Sequence, residues 1–193
     1  MAISKMNVQW RWRHFELFTV SEWHEILQLR AKIFVVEQNC PYVDPDHKDP
    51  LSWHLVGYGE RGAERGRERN AERNEERNEE QRGETNEGAR AGYAPVATLR
   101  AVPPGVSYEE SSIGRVVVDQ SRRGTQLGRE MMLRGIDFNR RMWGGGIRIS
   151  GQSYLERFYQ SLGFETVGKP YLEDDIPHIE MLLSADTQVM GAS

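Results

Sequence analysis

One cysteine, Cys40, stands among 193 residues, so no intrachain disulfide framework is available and a reducing compartment suits the chain. No run approaches the roughly 20 consecutive apolar residues of a membrane span, and the opening Met-Ala-Ile-Ser-Lys-Met-Asn lacks the apolar core of a signal peptide. A cytoplasmic protein with no membrane attachment is expected, with either Met1 or Met6 as its start. Positive charge is not in excess either. The 25 Lys and Arg face 29 Asp and Glu, giving a formal net charge of −4 and no general pull toward nucleic acid. The phosphate patterns Gly-x-x-x-x-Gly-Lys-Ser/Thr and Gly-x-Gly-x-x-Gly are both missing, which excludes a P-loop and a dinucleotide fingerprint. A calcium loop starting at Asp44 fails as well, because its sixth position is Asp49 rather than glycine and its twelfth is Leu55 rather than glutamate. No metal site is expected.

The stretch from Ile113 to Arg134 is the most informative part of the chain. Ile113-Gly114-Arg115-Val116-Val117-Val118 reads as a buried strand. A short turn with Arg122, Arg123 and Gly124 follows, then a helix with Leu127, Met131, Phe138 and Met142 on one stripe, ended by Gly144-Gly145-Gly146. Such a junction gathers free backbone N–H groups and the positive end of a helix dipole beside Arg122, Arg123 and Arg129, so the expected ligand is an anion such as a pyrophosphate.

Other elements follow from periodicity and end signals. Val8, Trp10 and Trp12 alternate with polar residues as in a half-buried strand. Thr19 and Glu22 form a capping box ahead of a helix carrying Trp23, Ile26, Leu27, Ile33 and Phe34. Arg30 falls beside that apolar stripe, where its head meets either a structural carboxylate or a substrate. The residues from Phe34 to Asp49 form a loop rich in acids and aromatics, suited either to attracting a cationic amine or to solvating a loop. Strands are expected at Trp53 to Tyr58, Tyr93 to Val102, Ile147 to Gln152, Phe164 to Val167 and Ile179 to Leu183. A short helix carries Leu155, Phe158 and Leu162, and Tyr171 to His178 is expected as a loop. Strands alternating with helices in this order give a mixed α/β sheet.

Residues 60–92 break the pattern. This degenerate Glu-Arg-Asn repeat holds ten acids and eight arginines and has no apolar period. It cannot bury enough surface to offset the cost of ordering, so a disordered insertion in a hairpin loop of a single domain is expected.

The turn Arg123-Gly124-Thr125-Gln126-Leu127-Gly128 resembles the acetyl-CoA signature Arg/Gln-x-x-Gly-x-Gly/Ala of the GNAT N-acetyltransferase superfamily, with Gln126 where the pattern has its middle glycine. Leu29-Arg30, then Phe34-Val35-Val36-Glu37-Gln38-Asn39-Cys40-Pro41-Tyr42 and the spaced Asp44, Asp46 and Asp49 are similar to the ElaA family within it. Gln152 to Tyr159 and Ile176 to Met181 extend that likeness toward the end of the chain.

The resemblance implies the GNAT acyl-CoA N-acyltransferase fold, a mostly antiparallel sheet with a splayed central strand pair and flanking helices. It also implies acetyl-CoA as donor and direct transfer to an amine on a small molecule or peptide. Val116 and Val118 are then expected along the pantetheine arm. Arg123, Gly124, Thr125, Gln126, Leu127, Gly128 and Arg129 are expected at the pyrophosphate, and Gln152 nearby. Tyr159 is the expected acid toward the departing thiolate. The base is open among Glu37, His54, His178 and Glu180. His178 and Glu37 are favoured, because an imidazole titrates near neutrality while a carboxylate must be raised by burial. Arg30, Tyr42, Asp44 and His54 are the expected acceptor contacts. A homodimer is compatible with the family. An acyl-homoserine-lactone-synthase-like enzyme and a non-catalytic acyl-CoA-binding module are the alternatives, separated by donor chain length and by turnover.

Overall fold

A computed structural model describes residues 8–60 and 92–187. Strands β1 (Gln9–His14), β2 (Trp53–Glu60), β3 (Tyr93–Val102), β4 (Ser111–Val118), β5 (Ile147–Gln152), β6 (Glu165–Thr166), β7 (Tyr171–Glu173) and β8 (Ile176–Leu183) form one sheet. Its order is β1-β2-β3-β4-β5-β8-β6, with β7 also on β8. Every pairing is antiparallel except β4 with β5. The helices are α1 (Val20–Ala31), α2 (Leu127–Trp143) and the short α3 (Glu156–Gln160).

The parallel pair is the feature that positions the site. β4 and β5 are in register only at Ser111 with Ile147 and Ser112 with Arg148, and beyond that they part. On its other side β4 follows β3 but carries an irregularity opposite Thr98 to Arg100, where Arg115 takes a φ of +50°. That bulge bends β4 away from β5. The mixed sheet with a splayed central pair is the architecture expected from the family resemblance.

Alternation along the strands sorts the core into two layers. Leu55, Leu99 and Ile113 face α2, whose Leu127, Met131, Met132 and Ile136 complete that side. Val56, Tyr58 and Val117 face Ile26 and Leu29 of α1 and Ile33 just beyond it. α1 begins with the full capping box, Thr19 Oγ1 accepting from Glu22 N–H and the Glu22 carboxylate accepting from Thr19 N–H. It runs directly into a π-helical turn, Lys32–Glu37, which the periodicity did not reveal.

Other departures lie near the chain's end. The expected strand Phe164 to Val167 shrinks to two residues, and the expected loop Tyr171 to His178 is a hairpin of β7 and β8 turning at Asp174 and Asp175, both at positive φ. Two successive positive-φ residues are what a tight hairpin turn requires, and aspartate is among the few side chains that tolerate them. The charged insertion lies outside the described residues apart from its ends. Glu60 pairs with Tyr93, so the segment leaves and returns at the tip of the β2–β3 hairpin. No helix among the described residues is long and apolar enough to cross a membrane.

Candidate active site

The gap between β4 and β5 opens into a cleft of about 480 Å³. A second cavity of about 360 Å³ lies over the turn before α2, and the two share Val118, Arg123, Gly128, Leu155 and Phe158 as walls. Together they make one long groove running from the turn, through the splay, to the β7–β8 hairpin. Its length suits an extended ligand with an anionic end.

The turn is the end of the groove suited to an anion. The first intrahelical bond of α2 runs from Glu130 N–H to Gln126 O, and no side chain caps the helix. The amides of Leu127, Gly128 and Arg129 are therefore left without a helical acceptor, at the positive end of a 17-residue helix. Gly124 has a φ of +73° and Gln126 one of +67°. Gln126 thus holds a left-handed backbone that glycine adopts without strain, at the position where the signature has a glycine. A Cβ on Gly128 would rest 3.7 Å from Val118, an ordinary contact, which accords with a pattern that admits glycine or alanine there. Thr125 Oγ1 is turned inward, donating to Arg122 O at 2.6 Å. Arg129 is bound to Ser161 through its side-chain and main-chain oxygens.

In the splay, Asp119 N–H donates to Val96 O on β3. Strand alternation then points the Val118 N–H the other way, into the gap, and Val116 and Val118 both wall the cleft. Gln152 ends β5 on the opposite wall and donates to Gln38 Oε1 at 3.1 Å.

Tyr159 on α3 lies beneath this wall. Its ring packs against Phe158 and Phe164 and against the backbone of Gly151, where a Cβ would come within 2.7 Å of the ring. Burial pushes its phenol up to about 12, so the group keeps its proton at neutral pH. His178 on β8 stands opposite Gln152 in register and also walls the cleft. Its Nδ1 lies 2.8 Å from Ile176 O. A carbonyl only accepts, so the proton of the neutral ring sits on Nδ1 and Nε2 carries the lone pair.

The expected acceptor contacts divide. Tyr42 walls the cleft, its phenol donating to Asp44 Oδ1 and pushed upward by burial. Arg30, Asp44 and His54 lie behind the wall. Arg30 is 1% exposed and is gripped by Asp44 (Nε to Oδ2, 2.8 Å) and Asp49 (Nη1 to Oδ1, 3.0 Å). Arg100 of β3 binds Asp46 and Asp49. Arg115, swung out by the bulge, donates to Asp44 O and Asp46, while its Nε lies 2.9 Å from Asp44 Oδ1 without hydrogen-bond alignment. His54, 1% exposed, donates from Nε2 to Asp49 O, and burial pushes its imidazole down to about 4. The three aspartates of the acid-rich loop therefore neither solvate it nor wait for an amine: three guanidiniums neutralise them. Of the two readings of Arg30, the structural ion pair is the one observed. Arg100 and Arg115 were not singled out from sequence. An arginine inside the apolar run Val96 to Val102 was the available signal for the first.

Glu37, at the end of the π-turn, forms a bidentate pair with Arg123 at 2.6 and 3.0 Å. A candidate base and a candidate phosphate ligand are thus joined across the groove.

A family model described as an acetyltransferase (GNAT) domain matches residues 69–185. A UPF0039 protein of Synechocystis is 33% identical over 178 residues, covering 92% of this chain and 96% of that one. ElaA of Escherichia coli is 31% identical over 177 residues, covering 90% and 95%. Its crystal structure superimposes with a TM-score of 0.69 over 91% of this chain and 99% of its own. An acyl-CoA N-acyltransferase of Pseudomonas aeruginosa, 30% identical, superimposes with a TM-score of 0.71 over 92% and 100%.

Proposed function

The chain belongs to the GNAT acetyltransferase family, alongside ElaA, and from that premise we propose that it transfers an acetyl group from acetyl-CoA directly to a primary amine. Membership makes it an acyltransferase with an acyl-CoA donor. The choice of acetyl and of a primary amine is the proposal. One observation carries it: the groove joins a turn of free amides to a wall holding a protonated phenol and an imidazole with its lone pair on Nε2.

In this reading the amides from Gly124 to Arg129 and the Arg123 guanidinium hold the donor's pyrophosphate. Val116 and Val118 bind the pantetheine arm along the gap, and the Val118 N–H polarises the thioester carbonyl. His178 Nε2 takes the proton from the acceptor ammonium, and the freed nitrogen attacks the carbonyl carbon. The new C–N bond forms, the C–S bond breaks, and the thiolate receives the Tyr159 proton. The second proton shed by the nitrogen returns through water to the Tyr159 oxygen, while His178 releases its own to solvent. The amide product and free CoA leave, with no covalent enzyme intermediate. Arg30, Arg100, Arg115 and the three aspartates hold the loop that forms the acceptor wall, and Tyr42 is the member of that loop that meets the acceptor.

The test is thiol release from acetyl-CoA across a panel of primary amines, run on wild type, Tyr159→Phe and His178→Ala. Amine-dependent release that falls by about 100-fold or more in each variant supports the assignment. Release that ignores both substitutions removes those two residues from the reaction.

A further inference from the structure

Successive residues after α1 cross the groove and touch three different elements. Glu37 takes Arg123 of the turn at 2.6 and 3.0 Å, Gln38 takes Gln152 of β5 at 3.1 Å, and Cys40 Sγ lies 3.5 Å from Asp174 O of the β7–β8 turn. All of these residues wall the cleft. Arg123 is further fixed by its Nε, 3.2 Å from Val118 O, which sets its guanidinium where the splay meets the phosphate turn.

A guanidinium fork receives a carboxylate and a phosphate with the same two-point geometry, so the two anions compete for it. The Glu37–Arg123 side chains are 31% and 44% exposed. A pair so solvated is weak enough to exchange. The contrast with Arg30, 1% exposed and held by two buried aspartates, marks one pair as fixed and the other as replaceable.

We propose that Glu37 is an exchangeable latch on the donor site: its carboxylate occupies Arg123 until the donor's pyrophosphate displaces it. The displaced carboxylate then faces the cleft, where it attracts the acceptor's ammonium, so donor binding prepares the acceptor end. Coupling of this kind is reciprocal, and a cationic acceptor tightens donor binding in turn. Glu37 is on this view a positioning residue that imposes an order of binding. The inference rests on the acyl-CoA donor reading.

Calorimetric titration of CoA into wild type, Glu37→Gln, Arg123→Ala and the double variant tests it. The amide of Glu37→Gln no longer competes for Arg123, so this variant is expected to bind CoA about threefold to fivefold more tightly than wild type. In the Arg123→Ala background the same change is expected to bring no gain. Equal or weaker binding by Glu37→Gln overturns the latch. An equal gain in both backgrounds overturns it too, because it would trace to general repulsion rather than exchange at Arg123. Wild type that binds no CoA overturns the donor reading itself, and the latch with it.

Discussion

Replacing Tyr159 by Phe separates the chemistry of the site from its packing. The ring is 6% exposed and enclosed by Phe158, Phe164 and Gly151, and phenylalanine fills the same space. Among the described residues the phenol has no hydrogen-bond partner, so its removal leaves no protein group unsatisfied, and stability at pH 7 is expected to change by less than about 1 kcal/mol. Catalysis is expected to fall by about 10²- to 10³-fold, the usual worth of one proton transfer, with donor affinity unchanged. A second, independent effect follows at alkaline pH. The folded phenol titrates at about 12 and an ordinary one at 10.0, so the unfolded chain loses this proton first. Wild type therefore keeps this contribution below pH 10 and loses it as pH rises toward 12. By linkage the loss is on the order of 3 kcal/mol. Tyr159→Phe lacks this loss. Urea unfolding at pH 8 and pH 11.5, with thiol-release kinetics beside it, reads both effects. Activity within threefold of wild type refutes the acid role, and an equal alkaline decline in both proteins refutes the burial of the phenol.

Further outcomes follow from the same geometry. Gly151→Ala places a Cβ within 2.7 Å of the Tyr159 ring, and activity is expected to fall with the protein still folded, as circular dichroism checks. Gln126→Gly relieves a left-handed φ of +67°, so the thermal midpoint is expected to rise by about 2–4 °C if the relief is about 1 kcal/mol. Asp49→Ala leaves Arg30 and Arg100 each short of a partner, with an expected loss of about 3–5 kcal/mol in urea unfolding. Acid acts in two steps. The imidazole of His54 is depressed from 6.5 to about 4, so stability falls as pH drops through that interval. Asp46, where Arg100 outweighs burial and holds the carboxyl at about 2 rather than 3.8, brings a second fall below pH 4. Urea midpoints measured from pH 7 to pH 2 check both.

Local signals carried most of the fold. The Thr19–Glu22 capping box, the strand Ile147–Gln152, the glycine stop at Gly144 and the tight turn before α2 each depend on residues near one another, and each formed where expected. The acid-rich loop misled because its partners are distant: Arg100 is 54 residues from Asp46 and Arg115 is 71 from Asp44, and no periodicity links such positions. Arg30, Asp44 and His54 consequently read as acceptor contacts although burial removes them from the cleft. The π-turn and its Glu37–Arg123 pair were hidden for the same reason, since the partners are 86 residues apart. Gln126 is the converse case. Its side chain departs from the signature, yet its backbone sits at a left-handed φ of +67°, a region open to glycine.

The most direct test of the account is a calorimetric titration of acetyl-CoA into the wild-type protein. Saturable binding of one molecule per chain, weakened at least tenfold by Arg123→Ala combined with Gly124→Ala, is the predicted result. No heat of binding at millimolar donor would contradict the account.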